Sequence, residues 1–307
     1  MEKSIRHHYV PIFYAKHFAN SNANLFVLNE DNPKGSIREG PPKSVFFEDR
    51  RNSFPGQDGL DNDTIEQIYS DLDNLFAPVL TRVIETGQLV VEDLRMLLFL
   101  AYIMKWRSPQ YDNAFEIAKE SLSVDDLGLR LRERGIVLDV DLEKVFRSDE
   151  LQETKRFLFA AQAFRFKDDY SRIFKNSFLL GSPVPALLGE CPFNEYSLNS
   201  DTIFEDFIFP ISTNYTLIYS SRIDKHKFSK VLDRPTYQRY IRLLSHSKDT
   251  ASFHLSSKYI ACSDKEHLFE MKEKYNELVN MGKNMSLCGL APFHILHNYE
   301  NLTLPPT

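Results

Sequence analysis

Cysteine is scarce in this chain: three in 307 residues, Cys191, Cys262 and Cys288, with no Cys-x-x-Cys pair. So odd and sparse a set argues against a disulfide framework and for a reducing compartment, so a cytoplasmic location is expected. Long apolar runs are missing too. The most apolar stretch, Met96 to Met104, is far shorter than the roughly 20 residues a membrane helix needs, and no membrane role is expected. The opening Met1-Glu2-Lys3-Ser4-Ile5-Arg6 has no apolar h-region, so no signal peptide is expected. There is no Gly-x-Gly-x-x-Gly, no Gly-Lys-Ser/Thr phosphate loop and no Gly-x-Ser-x-Gly elbow, which counts against nucleotide-driven and serine-hydrolase chemistry. Excess positive charge is also absent. A net charge of −6 argues against a broadly basic nucleic-acid surface, while leaving room for a small basic cleft.

Aromatic residues, by contrast, are plentiful. With 24 Phe and 14 Tyr, the core should be rich in rings. The apolar fraction of 42% and charged fraction of 26% are those of an ordinary folded chain, long enough for one or two domains.

The densest cluster of chemistry-bearing side chains is Arg6-His7-His8-Tyr9-Val10-Pro11-Ile12-Phe13-Tyr14. Histidine titrates near physiological pH and serves as acid, base or metal ligand. Pro11 suits the first turn of a short helix, Ile12 to Phe18, and pushes Val10 toward extended geometry. The His pair should therefore sit on an extended lead-in to a helix N-terminus, an end that favours anions. The competing reading is that both histidines cap and pack locally.

This stretch, with Phe18, resembles the opening signature of the bacterial domain of unknown function 4238 family. Asn24-Leu25-Phe26-Val27-Leu28, Pro42-Lys43-Ser44-Val45, Phe76-Ala77-Pro78-Val79-Leu80 and Arg107-Ser108-Pro109 are similar to its later blocks, in the same order. Leu198-Asn199-Ser200-Asp201 resembles its Ser-Asp block, with Thr202-Ile203 replacing the usual turn with proline. The resemblance supplies candidate residues and no reaction.

Along the chain, Leu25 to Leu28 and Val45 to Phe47 read as the strands of a hairpin around the Asp31-Asn32-Pro33-Lys34-Gly35 turn. From Asp63, an expected N-cap, Ile65, Ile68, Leu72, Leu75, Phe76, Val79, Leu80 and Val83 form an apolar helical stripe that Pro78 should kink and Gly87 should end. Glu92 to Arg107 is apolar nearly all round, hence a central helix, stopped by Ser108-Pro109 and followed by a short helix to Ser121. Residues 123–148 read as surface helices and a turn, and Asp149 to Leu180 as one long helix. Four short strands then follow: Ala186 to Leu188, Tyr196 to Leu198, Phe207 to Phe209 and Thr216 to Tyr219, the third ended by Pro210. A helix from Thr236 to Ser245, a strand at Lys258 to Ala261 and a helix from Glu266 to Met281 complete the reading, with a frayed tail from Asn301.

The expected fold class is α+β: an N-terminal β-hairpin, a central helical body and a C-terminal β-rich half with flanking helices. These form a single interwoven domain in three parts, 1–60, 61–181 and 182–300. If the N-terminal segment packs between the helices and the late sheet, His7, His8, Tyr9, Arg107 and Asp201 could form one polar site. Histidine would move protons, the Arg107 fork would hold a phosphate or carboxylate, and Asp201 would orient a histidine or bind a metal, a pattern expected for phosphodiester cleavage with or without Mg²⁺. The functional expectation is a bacterial phosphodiesterase or nuclease of toxin or defence type, meeting nucleic acid in a local cleft. The alternative is a non-catalytic binding or regulatory module with a protein partner, in which His-His-Tyr is a structural lock. His294 and His297, at i and i+3, make a minor metal candidate that lacks a Glu and a third ligand.

Overall fold

The computed structural model of the chain describes residues 5–29, 31, 36–55, 61–62, 64–121, 132–133, 136–137, 155–160, 170–196, 205–223, 228, 234–282 and 287–299. It is α+β, with helices through the middle and strands gathered at the two ends of the sequence.

The helical body forms where the periodicity puts it. The Thr64–Thr86 helix buries Ile65, Tyr69, Phe76, Leu80 and Val83, a stripe repeating at three and four. It runs through Pro78 and stops at Gly87, whose φ of +61° suits glycine and whose N–H bonds back to the Val83 carbonyl at 2.9 Å. The Val91–Arg107 helix is buried without interruption from Leu100 to Arg107, as expected of a sequence apolar on every face. Asp93 accepts the Val90 N–H at 2.9 Å at its start. At its end Ser108 is extended (ψ 133°), because Pro109 disfavours helical geometry before it.

Two four-stranded sheets carry the rest. The hairpin is present, but its second strand is Arg38–Gly40, not Val45 to Phe47. Leu25–Asn29 lies between Arg38–Gly40 and the late strand Tyr259–Cys262, which in turn pairs with Leu188–Gly189. The first strand of the chain's regular core is thus central in a sheet completed more than 150 residues later. Phe47–Asp49 instead pairs with Arg6–His8, register His8 opposite Phe47. The other sheet runs Asn194–Tyr196, Asp206–Pro210, Tyr215–Ser220, Ser177–Gly181, all antiparallel. The long helix expected from Asp149 to Leu180 is corrected: its described parts are the short helices Lys155–Ala160 and Tyr170–Lys175, then the strand Ser177–Gly181. The helix expected from Thr236 to Ser245 runs from Arg234 to His254. Asp63, most of 123–148 and the tail lie outside the described residues.

The N-terminal segment is wedged between these layers. Tyr14 stacks on Phe209 at 5.7 Å and 6°, and its hydroxyl donates to the Pro210 carbonyl. Thr213 N–H donates to His17 O at 3.0 Å. Burial of such rings dominates core energetics, and Tyr9, Tyr14, Phe18 and Phe46 are all buried. Among the described residues no helix is long and apolar enough to cross a membrane.

Candidate functional site

The five residues expected to form one site divide. His7 is buried and its Nδ1 accepts the Asn52 N–H at 2.9 Å, so the ring is the Nε2–H tautomer. Nε2 is buried with no hydrogen-bond partner among the described residues. Tyr9, two residues on from His7, is buried as well. Its hydroxyl donates to Glu190 at 2.7 Å, and burial, reinforced by that carboxylate, pushes the phenol well above its ordinary pKa. Neither His7 nor Tyr9 lines the cleft described below, which corrects the expectation that both belong to a reacting centre. Asp201 lies outside the described residues.

His8 and Arg107 do meet. Both line an open cleft of about 200 Å³, together with Ile12, Phe13, Glu66, Ser70, Asp73, Asn74 and Ala77. His8 is half-buried, and its Nε2 donates to the Lys43 carbonyl at 3.1 Å, leaving Nδ1 as the basic nitrogen. Burial lowers its pKa from the ordinary value, and nearby Arg107 lowers it further, against the opposing Lys43 bond. Arg107 is only 2% exposed. Its guanidinium lies 3.9 Å over the Tyr69 ring, donates to the His8 carbonyl and sits 3.5 Å from Asp73. Its Nε has no hydrogen-bond partner among the described residues.

This arrangement has local causes. Phe46 adopts φ +57°, a conformation that strains a bulky residue by about 1–2 kcal/mol and is held here by full burial against Tyr9 and Tyr259. That turn sends Phe47 alongside the His8 ring, 5.6 Å away. On the other wall, Arg51 and Arg156 donate to the carbonyls of Arg107 and Trp106 at 3.2 and 2.7 Å, capping the helix C-terminus that carries Arg107. Asn52 links the lead-in to the wall, donating to Glu66 at 2.7 Å.

Glu66 and Asp73 are the residues that sequence reasoning missed. The signal was available: Glu66, Ser70, Asp73, Asn74 and Ala77 recur at three and four, a polar stripe beside the apolar one. Burial raises Asp73 to about 6; Arg107 opposes that rise and Glu66 adds to it. The folded chain therefore holds the Asp73 proton more tightly than the unfolded one between the ordinary pKa and about 6. Stability from this group is full below that window and is lost as pH rises through it. Asp73→Asn, neutral throughout, should gain on the wild type as pH rises from 5 to 8, by about 1.4 kcal/mol. Chemical denaturation at both pH values measures it; a gap that does not change with pH refutes an ionisation penalty at Asp73.

The minor metal candidate does not form. His294 is exposed, while His297 is bonded to the buried Asp206, which also accepts from Ser220 Oγ at 3.0 Å and Ser221 N–H at 2.8 Å. Among the described residues, no three His, Cys, Asp or Glu side chains group to hold a metal ion.

Residues 6–157, about half of the chain, match the family described as Protein of unknown function (DUF4238). No curated protein and no solved structure gives a significant match.

Proposed function

We propose, for a chain that belongs to the DUF4238 family through residues 6–157, a phosphodiesterase or nuclease working at the His8–Asp73–Arg107 cleft. One observation carries the reading: a single open cleft collects a histidine with a lowered pKa, a carboxyl raised to about 6 and a buried arginine whose Nε has no hydrogen-bond partner among the described residues. Perturbed titratable groups converging in a cleft are the usual physical mark of acid–base chemistry.

In this mechanism His8 Nδ1 takes a proton from the attacking water as its oxygen bonds to phosphorus. The bond from phosphorus to the leaving oxygen breaks, and protonated Asp73 supplies that oxygen's proton. Arg107 offsets charge on the phosphoryl oxygens. A neutral His8 together with a protonated Asp73 is most populated midway between the lowered His8 pKa and the Asp73 value of about 6, so the rate should peak there and fall on both sides. The setting this reading implies is a bacterial cytoplasm, in a toxin or defence role.

The second reading is the structural lock. It is favoured by the burial of His7 and Tyr9 and by the occupied fork of Arg107. The test is cleavage of single-stranded RNA, transfer RNA, and single- and double-stranded DNA, each with Mg²⁺, Mn²⁺ or chelator. His8→Ala and Asp73→Asn should each lower cleavage about 10²–10⁴-fold while remaining folded. No cleavage by wild type on any substrate, with His8→Ala strongly destabilised, would leave the lock.

A further inference from the structure

An open groove of about 540 Å³ adjoins the cleft, lined by Ile12, Lys16, Ala19, Pro41, Pro42 and Lys43 among others. Ile12 lines both cavities. Lys43 links them chemically, because its carbonyl fixes the His8 ring while its side chain is exposed at the groove. Lys16 and Lys43 stand on two short turns, Lys16–Phe18 and Pro42–Ser44, and both line the groove. Both are exposed, and neither ammonium is ion-paired among the described residues. In a chain of net charge −6, two free cations beside an apolar groove make a local exception.

We propose that this groove seats a nucleoside next to the phosphate held in the cleft, so that the substrate is single-stranded nucleic acid. The inference rests on the phosphodiesterase reading. The volumes divide the work: the cleft suits a phosphate group, while the groove falls within the roughly 300–1,000 Å³ typical of pockets for whole small molecules. Ile12, Pro41 and Pro42 offer apolar contact to a base face. Lys16 and Lys43 offer charge to the adjoining phosphate. A base can enter only when unstacked and unpaired, which a single strand allows at low cost and a duplex does not. Asn20 also lines the groove, but its amide already donates to Glu39 and accepts the Asn22 and Asn24 N–H groups, so base preference should be weak.

The experiment is direct titration of the folded protein with an oligodeoxythymidylate tetramer, followed by calorimetry at several salt concentrations. Lys16→Ala/Lys43→Ala changes two exposed side chains and should leave the melting temperature in place. The tetramer should bind wild type, and the double variant should bind at least about tenfold more weakly, with the salt slope of log affinity reduced by about 1.4 for two lost phosphate contacts. Equal binding by both proteins, no binding by wild type at millimolar tetramer, or Lys-dependent binding of decanoate without binding of the tetramer would each overturn the inference. Cleavage bears on the two claims separately. Lys-dependent binding with no cleavage would remove the enzymatic reading alone. Cleavage at the His8 cleft with Lys-independent binding would remove the groove alone.

Discussion

Glu190→Ala should lower the free energy of unfolding by about 4 kcal/mol, an effect set by how many donors that one carboxylate serves. Glu190 is 2% exposed. It accepts the Tyr9 hydroxyl at 2.7 Å, the Ser257 N–H at 2.6 Å, the Ser257 hydroxyl at 2.8 Å and the Lys258 N–H at 2.9 Å. Two of these are backbone donors at the entry to the Tyr259–Cys262 strand, where the chain has left the Arg234–His254 helix. Alanine strands all four. Each buried donor left unpaired costs about 1–3 kcal/mol, less whatever water recovers. Glu190→Gln keeps one oxygen and should lose about half as much. Tyr9→Phe removes a single donor and should cost about 1–2 kcal/mol, since the carboxylate keeps its other partners. Urea denaturation of the three variants gives the ranking. A loss below about 1 kcal/mol for Glu190→Ala would mean that water replaces the carboxylate at no cost, and that Tyr9 is held by packing alone.

Tyr9 also shows what was legible from sequence and what was not. A buried phenol needs a partner, and that much could be read from the N-terminal stretch. Its partner lies 181 residues away and could not. The same division runs through the fold. The Thr64–Thr86 and Val91–Arg107 helices were legible because local periodicity encodes their buried faces. The second strand of the hairpin was not. Arg38-Glu39-Gly40 is a mostly exposed edge strand with a single ladder, so it has no apolar alternation to read. Val45-Phe46-Phe47 looked like the better strand because it is apolar, yet Phe46 turns there with positive φ and only Phe47 joins a ladder. Ser177 to Leu180 was absorbed into a helix because a short apolar run has no period of its own. In the site, His8 and Arg107 stood out as residue types. Glu66 and Asp73 were hidden by their ordinary place on the polar face of an amphipathic helix, and only the cleft distinguishes them from any solvated carboxylates.

Arg107→Ala should be the most damaging change at the cleft, destabilising the fold by about 3–5 kcal/mol and altering the chemistry of what remains. The side chain does three things at once. It donates to the His8 carbonyl, fixing the lead-in strand at the residue that would act as base. It lies over Tyr69, whose own ring is buried. It also opposes the rise in the Asp73 pKa. Alanine takes the guanidinium away from a part-buried carbonyl and a mostly buried carboxyl, and leaves a void above the Tyr69 ring. Asp73 should then titrate above 6, because burial and Glu66 still raise it and nothing nearby lowers it. Arg107→Lys separates these roles. An ammonium restores charge near Asp73 but lacks the planar fork and the ring stacking. It should return the Asp73 titration toward its wild-type position while recovering only part of the lost stability. Carboxyl titration by NMR and thermal unfolding, measured on the same three proteins, read the two effects apart. If Lys restores stability in full, geometry at the fork is irrelevant and Arg107 is a point charge. If Asp73 does not shift in the Ala variant, the electrostatic link between them is absent and the acid–base pairing in the cleft loses its basis. A shift in Asp73 with only partial rescue by Lys would tie the position of His8 and the proton affinity of Asp73 to one guanidinium. Both halves of the proposed proton transfer would then depend on the Arg107 side chain at the end of the central helix.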